Sequence, residues 1–446
     1  MKRTDETGGT TMTPDQVAAA SGNASWMLIS ASLVLLMTPA LALFYGGMSR
    51  QKSVLNMMLM SFGAIAVVSI VYVLWGWSMS YGSQSILGLF ANPFEFFGLR
   101  NLITDTNGNF IAGASGYANI IDIGFQLTFA SISVALISGA LAERVKFGTW
   151  LGFVALWVTF VYFPLAHMVW GGGLLSHSAT GLSAMLFGST GEEANVAPID
   201  FAGGTVVHIS AGTAALALAL IVGKRANFMK SPHRPHNVPF VMLGAALLWF
   251  GWFGFNGGSA FAADGAAGLA WLNTTVATGA AMLGWLAYER ITEGQPTSLG
   301  AASGVIAGLV TITPAAGDLT PLTSIILGVI GGVLGAWGVG LKYKFHYDDS
   351  LDVVGVHLVA ALWGTIGVGL FANDRGLLTG GGMEGLKLFI IQVLIAVIAM
   401  LVSGLFTALI ALLLKSTSGW RVDPKQEFTG IDITTHGESA YDRSIL

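Results

Sequence analysis

Asp200-Phe-Ala-Gly-Gly-Thr-Val-Val-His208-Ile-Ser-Ala-Gly-Thr-Ala-Ala-Leu-Ala-Leu-Ala-Leu-Ile-Val-Gly223-Lys-Arg225 places an acid before a long apolar run and two cations after it. Residues 203–223 contain no Asp, Glu, Lys or Arg, and His208 is their single titratable side chain. About 20 such residues, coiled as a helix, cross the roughly 30 Å of hydrocarbon in a bilayer. Helix is the state this stretch must adopt there, because an open strand in lipid leaves its backbone N–H and C=O groups unpaired. The stretch therefore predicts a membrane span that carries an imidazole about two turns from its start.

The same reading extends along the chain. Ten more apolar stretches, at 26–47, 54–80, 120–142, 148–169, 238–257, 266–288, 298–315, 321–341, 351–371 and 386–414, make eleven predicted transmembrane helices. Charged residues are only 10% of the chain, against roughly 25% in soluble domains, and they cluster between these runs. Sixty glycines suit close helix packing in a bilayer. With no cysteine, disulfides and thiolate chemistry are excluded. A net charge of −4 gives no basic field for nucleic acid. The polar start, with Lys2 and Arg3 and no apolar segment behind them, predicts no cleaved signal peptide. The expected organisation is a polar extracellular N-terminus (1–25), a transmembrane domain (26–414) and a cytoplasmic tail (415–446).

Lys and Arg orient the spans. One side holds Arg50, Lys52, Arg144, Lys146, Lys224, Arg225, Lys230, Arg234, Arg290, Lys342 and Lys344, with Lys415, Arg421, Lys425 and Arg443 of the tail. The other holds Lys2, Arg3, Arg100, Arg375 and Lys387. Positive charge marks the cytoplasmic side, so the N-terminus is expected outside and the C-terminus inside. An odd number of spans agrees.

The opening stretch has an echo. Asp349-Ser-Leu-Asp-Val-Val-Gly-Val-His357 again sets an acid eight residues before a histidine, at the start of the tenth span. Five spans separate the two motifs, so they enter the membrane from opposite sides. That is the mark of an inverted repeat of helices 1–5 and 6–10, with a long eleventh helix added, and such repeats place the pathway at their interface.

Intramembrane histidines face a bundle interior or a cavity. His208 and His357 read either as two separately hydrogen-bonded packing residues or as a pair in a pore. A pair could exchange hydrogen bonds with a small solute or hold a haem in an electron-transfer protein. No further ligand stands at metal spacing, so metal is disfavoured. Asp200 and Asp349 read as helix N-caps, and Asp200 also as a charge at the outer mouth. Trp170, Phe125, Phe129 and Phe255 with Ser259 come from three segments ending at the outer surface. They read as an interfacial aromatic belt or as a cation-π cage, worth roughly 0.5–2 kcal/mol to a small cation. A cation at such a mouth conflicts with a dry pore: desolvation favours the neutral form of a base, so the proton should leave first. No nucleophile and base stand together as an enzyme would need.

Phe44-Tyr-Gly-Gly-Met-Ser-Arg50, Gly139-Ala-Leu-Ala-Glu-Arg144, His167-Met-Val-Trp-Gly-Gly-Gly173, Asp200 to His208, Gly251-Trp-Phe-Gly-Phe-Asn256 and Gly355-Val-His357 together resemble the ammonium transporter family (Amt/Mep/Rh), on its bacterial Amt side. The resemblance implies a homotrimer with one pore per subunit, taking ammonium or ammonia, with methylammonium as a congener. It implies recruitment at Trp170, Phe129 and Ser259, a gate of Phe129 and Phe255 with Phe125 nearby, and His208 and His357 as twin pore histidines. It gives Asp200 the role of outer-mouth acid. Leu41, Phe44, Tyr45, Leu248 and Val353 fall at lining positions, and Asp349 is the inner counterpart of Asp200. No cofactor is implied. The tail segment Gly430 to Tyr441 resembles a regulatory element that crosses to a neighbouring subunit, with a PII-type signalling protein as the cytoplasmic partner. A sensor that reports ammonium through this tail is a further reading.

Overall fold

The computed structural model describes residues 13–230 and 234–441; Lys2, Arg3 and Arg443 of the charge count lie outside them. Eleven long helices dominate the described chain: α1 Pro14–Met48, α2 Gln51–Tyr81, α3 Asn119–Leu141, α4 Phe147–Val169, α5 Gly204–Val222, α6 Val238–Gly257, α7 Gly265–Thr292, α8 Ser298–Ala315, α9 Pro321–Phe345, α10 Val354–Phe371 and α11 Gly382–Ser416. All except α7 are long and apolar enough to cross a membrane. α7 is 28 residues long and more polar, carrying Asn273, Glu289 and Arg290.

Helix α1 starts twelve residues before the expected span. Thr13 and Gln16 form a reciprocal capping box, with Pro14 in the first turn. Proline there removes an N–H that had no helical partner anyway. The 14–25 stretch is therefore helix although it mixes Asp15, Gln16, Ser21, Asn23 and Ser25 with small apolar residues.

The packing has the symmetry of an inverted repeat. In the first half α1 packs on α3 and α2 on α4; in the second α6 packs on α8 and α7 on α9. The halves meet through α1 against α6 and through α5 against α10. Glycines let both seams close. A Cβ at Gly244 of α6 would lie 2.5 Å from the Phe44 backbone nitrogen of α1, and one at Gly212 of α5 would lie 2.6 Å from that of Leu358 in α10. Gly332 of α9 is tighter still: a Cβ there would enter the carbonyl of Ala281 in α7. Gly332→Ala should lower the stability of the detergent-solubilised protein by about 1–3 kcal/mol, read as an earlier thermal unfolding transition. An unchanged transition would mean that α7 and α9 separate freely.

Buried tryptophans pin the helices with their ring N–H groups. Trp150 donates to the Met60 carbonyl at 2.8 Å, and Trp157 to Thr407 at 3.0 Å. At the end rich in Lys and Arg, Arg144 is fully buried and donates to the carbonyls of Ala140 and Asp348, each at 2.8 Å, and to Ser350 at 2.6 Å. Arg225 pairs with Asp348 at 2.9 Å and reaches Glu143 at 3.5 Å. Burial opposes the Asp348 charge, but Arg225 and Arg144 outweigh it and hold this carboxyl below the usual range.

Candidate functional site: an aromatic mouth above a histidine pair

Asp200 builds the N-terminal end of α5. Its carboxylate accepts from the backbone N–H groups of Gly203 (3.0 Å), Gly204 (2.5 Å), Thr205 (2.9 Å) and Val206 (3.2 Å), and from the Thr205 hydroxyl. Helix starts leave such donors unpaired, and an acid there satisfies them. Gly203 takes φ +106°, a left-handed conformation that disfavours any residue with a Cβ. Hence the small-residue run after Asp200. Burial pushes the Asp200 carboxyl up, and the Thr205 hydroxyl and the N–H groups oppose it.

The turn that follows, Gly204–Ile209, is π-helical and carries His208. Val354–Val359 is π-helical too and carries His357. A third π turn, Phe253–Gly257, carries Phe255. Such single wide turns occur often at functional sites, where one extra residue per turn re-aims a side chain.

The three turns converge. The His208 and His357 rings stack at 5.4 Å with 19° between planes, and their Nδ1 atoms stand 3.4 Å apart. One imidazole must present N–H and the other a lone pair. Trp252 also lies against His208, with ring centroids 5.4 Å apart and 16° between planes. Both histidines are buried, and His208 Nε2 has no hydrogen-bond partner among the described residues. Direct contact between the rings leaves no plane for a porphyrin between them, which removes the haem reading. No group of three or more metal-binding side chains occurs among the described residues.

Beside this pair, Phe255 lies 6.1 Å from His208 and stacks on Phe129 at 4.0 Å and 16°. Phe125 meets Phe129 edge-on at 4.8 Å. Phe129 in turn meets Trp170 at 6.3 Å and 85°. Trp170 Nε1 donates to the Asp200 carbonyl at 2.8 Å, and Ser259 Oγ to the Phe255 carbonyl at 2.8 Å. A cavity of about 360 Å³ opens here, lined among others by Trp170, Phe129, Ser259, Asp200, Tyr81 and Phe261. Trp170, Phe129, Ser259 and Asp200, expected together from the sequence, line one cavity.

A model of the Ammonium Transporter Family matches residues 25–441. The chain belongs to the ammonium transporter family. An ammonium transporter of Mycobacterium tuberculosis is 49% identical, the match covering 95% of this chain and 91% of the relative. One of Aquifex aeolicus is 44% identical over 94% and 93%. Among solved structures, one titled Sensor Amt Protein superposes with a TM-score of 0.82 at 28% identity, covering 94% of this chain and 99% of that one. Saccharomyces cerevisiae Mep2 gives 0.80 at 29%, covering 100% and 97%. These relatives are transporters, not enzymes.

In this ammonium transporter family member the remaining expected residues separate into two groups. Tyr45 and Val353 converge on Gly139, whose Cβ would touch both side chains, and Tyr45 donates to the Leu136 carbonyl at 2.9 Å. Leu41, Phe44 and Leu248 are buried on α1 and α6, with Phe44 against Gly244 in the helix seam. Asp349 repeats the Asp200 geometry in part: its Oδ2 accepts from Val354 N–H at 2.7 Å.

The tail is ordered against its own chain. Asp432 caps the start of α2 by accepting from Leu55 (3.0 Å) and Asn56 (2.8 Å). His436 bonds Asn56 at 3.0 Å, and His236 bridges the Ser49 carbonyl (3.0 Å) and the Tyr441 hydroxyl (2.9 Å). Trp252, Phe261 and Tyr81 were not singled out in the sequence. Trp252 stood in the quoted Gly251–Asn256 motif, and only its stacking on His208 marks it.

Proposed function

We propose that this family member takes up ammonium by binding NH4+ at Trp170, Phe129 and Ser259, releasing a proton at the mouth, and passing NH3 beneath the Phe129–Phe255 gate and along His208 and His357. The supporting observation is the unbroken aromatic and imidazole column from Trp170 through Phe129 and Phe255 to the histidine pair. Aromatic faces favour a cation where water is still present. Two buried imidazoles in direct contact favour a neutral, hydrogen-bonding solute. The column therefore changes its preferred species along its length. The released proton follows separately through the histidine pair and water, which makes uptake electrogenic.

In this reading all eleven long helices cross the cell membrane, with the N-terminus outside and the tail in the cytoplasm. Leu41, Phe44, Tyr45, Leu248 and Val353 line or cap the path. The working unit is a homotrimer, and a PII-type protein closes it at the cytoplasmic face. A sensor role has one specific support, the close superposition on the structure titled Sensor Amt Protein, together with a tail tied to α2 through Asp432.

An ammonium jump across membranes containing the purified protein tests this reading. Wild type should give an inward current. Trp170→Leu should raise the half-saturating concentration by about 2- to 30-fold, the equivalent of roughly 0.5–2 kcal/mol of cation-π binding. Rapid internal alkalinisation without current would retain the path and remove the proton step. Neither signal from folded protein would overturn transport.

A further inference from the structure

The two repeat-related acids are not chemically equal. In Asp200 both carboxylate oxygens are occupied, by four N–H groups and a hydroxyl. In Asp349 the Val354 N–H bonds Oδ2, while Oδ1, equally buried, has no hydrogen-bond partner among the described residues. Asp349 as a residue is 1% exposed. Buried polar atoms are almost always paired, and an exception calls for a reason.

The surroundings supply one. Lys342 Nζ reaches the carbonyl oxygen of Asp349 at 3.1 Å and the carboxylate of Asp352, so two of its three donors are taken up elsewhere than at Oδ1. Lys342 thus offsets the local negative charge without filling the free oxygen. Asp352 is held at φ +68°, in the left-handed region that a non-glycine residue rarely adopts. Tyr45, which meets Val353 at Gly139, gives its hydroxyl to Leu136 and not to Asp349. The other ionisable groups whose charge acts here are Tyr347 and the buried Arg144, which donates to the neighbouring Asp348 carbonyl and Ser350. Burial pushes the Asp349 carboxyl up to about 6, with Lys342 and the Val354 and Val353 N–H groups opposing and Asp352 adding to the rise.

We propose that Asp349 is the proton-exchange group at the inner end of the path, whereas Asp200 is a fixed anionic cap. The proposal rests on the reading above, in which ammonia and a proton arrive separately. Oδ1 takes the arriving excess proton from hydronium: the hydronium O–H bond breaks and leaves water as an O–H bond forms on Oδ1, giving a neutral acid. That O–H bond then breaks as an N–H bond forms on ammonia, or as the proton passes to cytoplasmic water, and the carboxylate is restored. Asp200 has no unoccupied oxygen with which to do the same. A neutral Asp349 cannot accept a proton, so acidifying the inner side should stop the cycle.

The test uses full-length protein in vesicles whose internal pH is clamped between about pH 5 and about pH 8, with external ammonium jumps. Wild type should lose current as internal pH falls through about 6. Asp349→Asn, which keeps an oxygen for the Val354 N–H, should carry about tenfold less current or lower and show no inflection. Asp349→Glu should regain an inflection at a shifted pH. Should Asp349→Asn fail to fold, difference infrared spectra of wild type and Asp349→Glu serve instead: a carboxylic-acid band should titrate near 6 in wild type and move in the Glu variant. Unchanged current and inflection in Asp349→Asn, or no titrating carboxylic-acid band, would overturn the proposal and leave a helix cap. A wild type with neither current nor alkalinisation would instead overturn the transport reading beneath it.

Discussion

Asp200→Ala should abolish ammonium-dependent current and lower the unfolding temperature together. The substitution removes the acceptor of four backbone N–H groups and one hydroxyl. Each buried donor left unpaired costs about 1–3 kcal/mol, so the start of α5 should rearrange. Two functional elements move with it. His208 sits on the π turn whose N–H groups Asp200 holds, and Trp170 hangs its indole N–H on the Asp200 carbonyl. Asp200→Asn retains acceptor oxygen and should fall between wild type and Asp200→Ala in stability. Current measured beside thermal unfolding checks this; an Asp200→Ala protein with wild-type current would show that the acid is dispensable to the path.

His208→Ala should cost current and neutral flux unequally. The His208 ring contacts both Trp252 and His357, and its contact with His357 is the hydrogen bond along which a proton would pass. Removing it breaks that link, and proton-relay groups contribute roughly a hundredfold or more to such steps. The ammonium-dependent current should therefore fall by about a hundredfold or more. Ammonia itself needs space and weak hydrogen bonds, and the substitution leaves Phe255 and His357 in place. Internal alkalinisation should persist. Equal loss of both signals would mean that the imidazole acts as a packing residue that keeps the path open, and an unaltered current would place the path elsewhere.

Much of this architecture is legible in one dimension because a bilayer forces it. Long apolar runs such as 203–223 must be helices, since lipid offers their backbone no other partner. The twin Asp-to-His spacing at 200–208 and 349–357 exposed the inverted repeat, which the packing of α1 on α3 and of α6 on α8 reproduces. The start of α1 was not read from the sequence: apolarity locates the span from 26 and misses the capped turns that begin at Pro14. Helix α7 shows the opposite difficulty: Asn273 and Glu289 lower its apolar character, and the carbonyls of Ala316 and Leu319 that take up the Asn273 amide come from distant sequence.

The chain by itself determined the membrane class, the repeat, and the residue types at the site: two imidazoles, two acids, and aromatics at the mouth. Each follows from local burial cost or from spacing along one helix. Only the tertiary structure decided that His208 meets His357, that Trp252 lies against His208, and that three π turns aim the key side chains. It alone separated the fully bonded Asp200 from Asp349 with its free oxygen, although the two motifs look alike in sequence. Those distinctions depend on which donors arrive from other helices, and hydrogen bonds and ring stacking are decided by distances of a few ångströms that residue spacing does not encode.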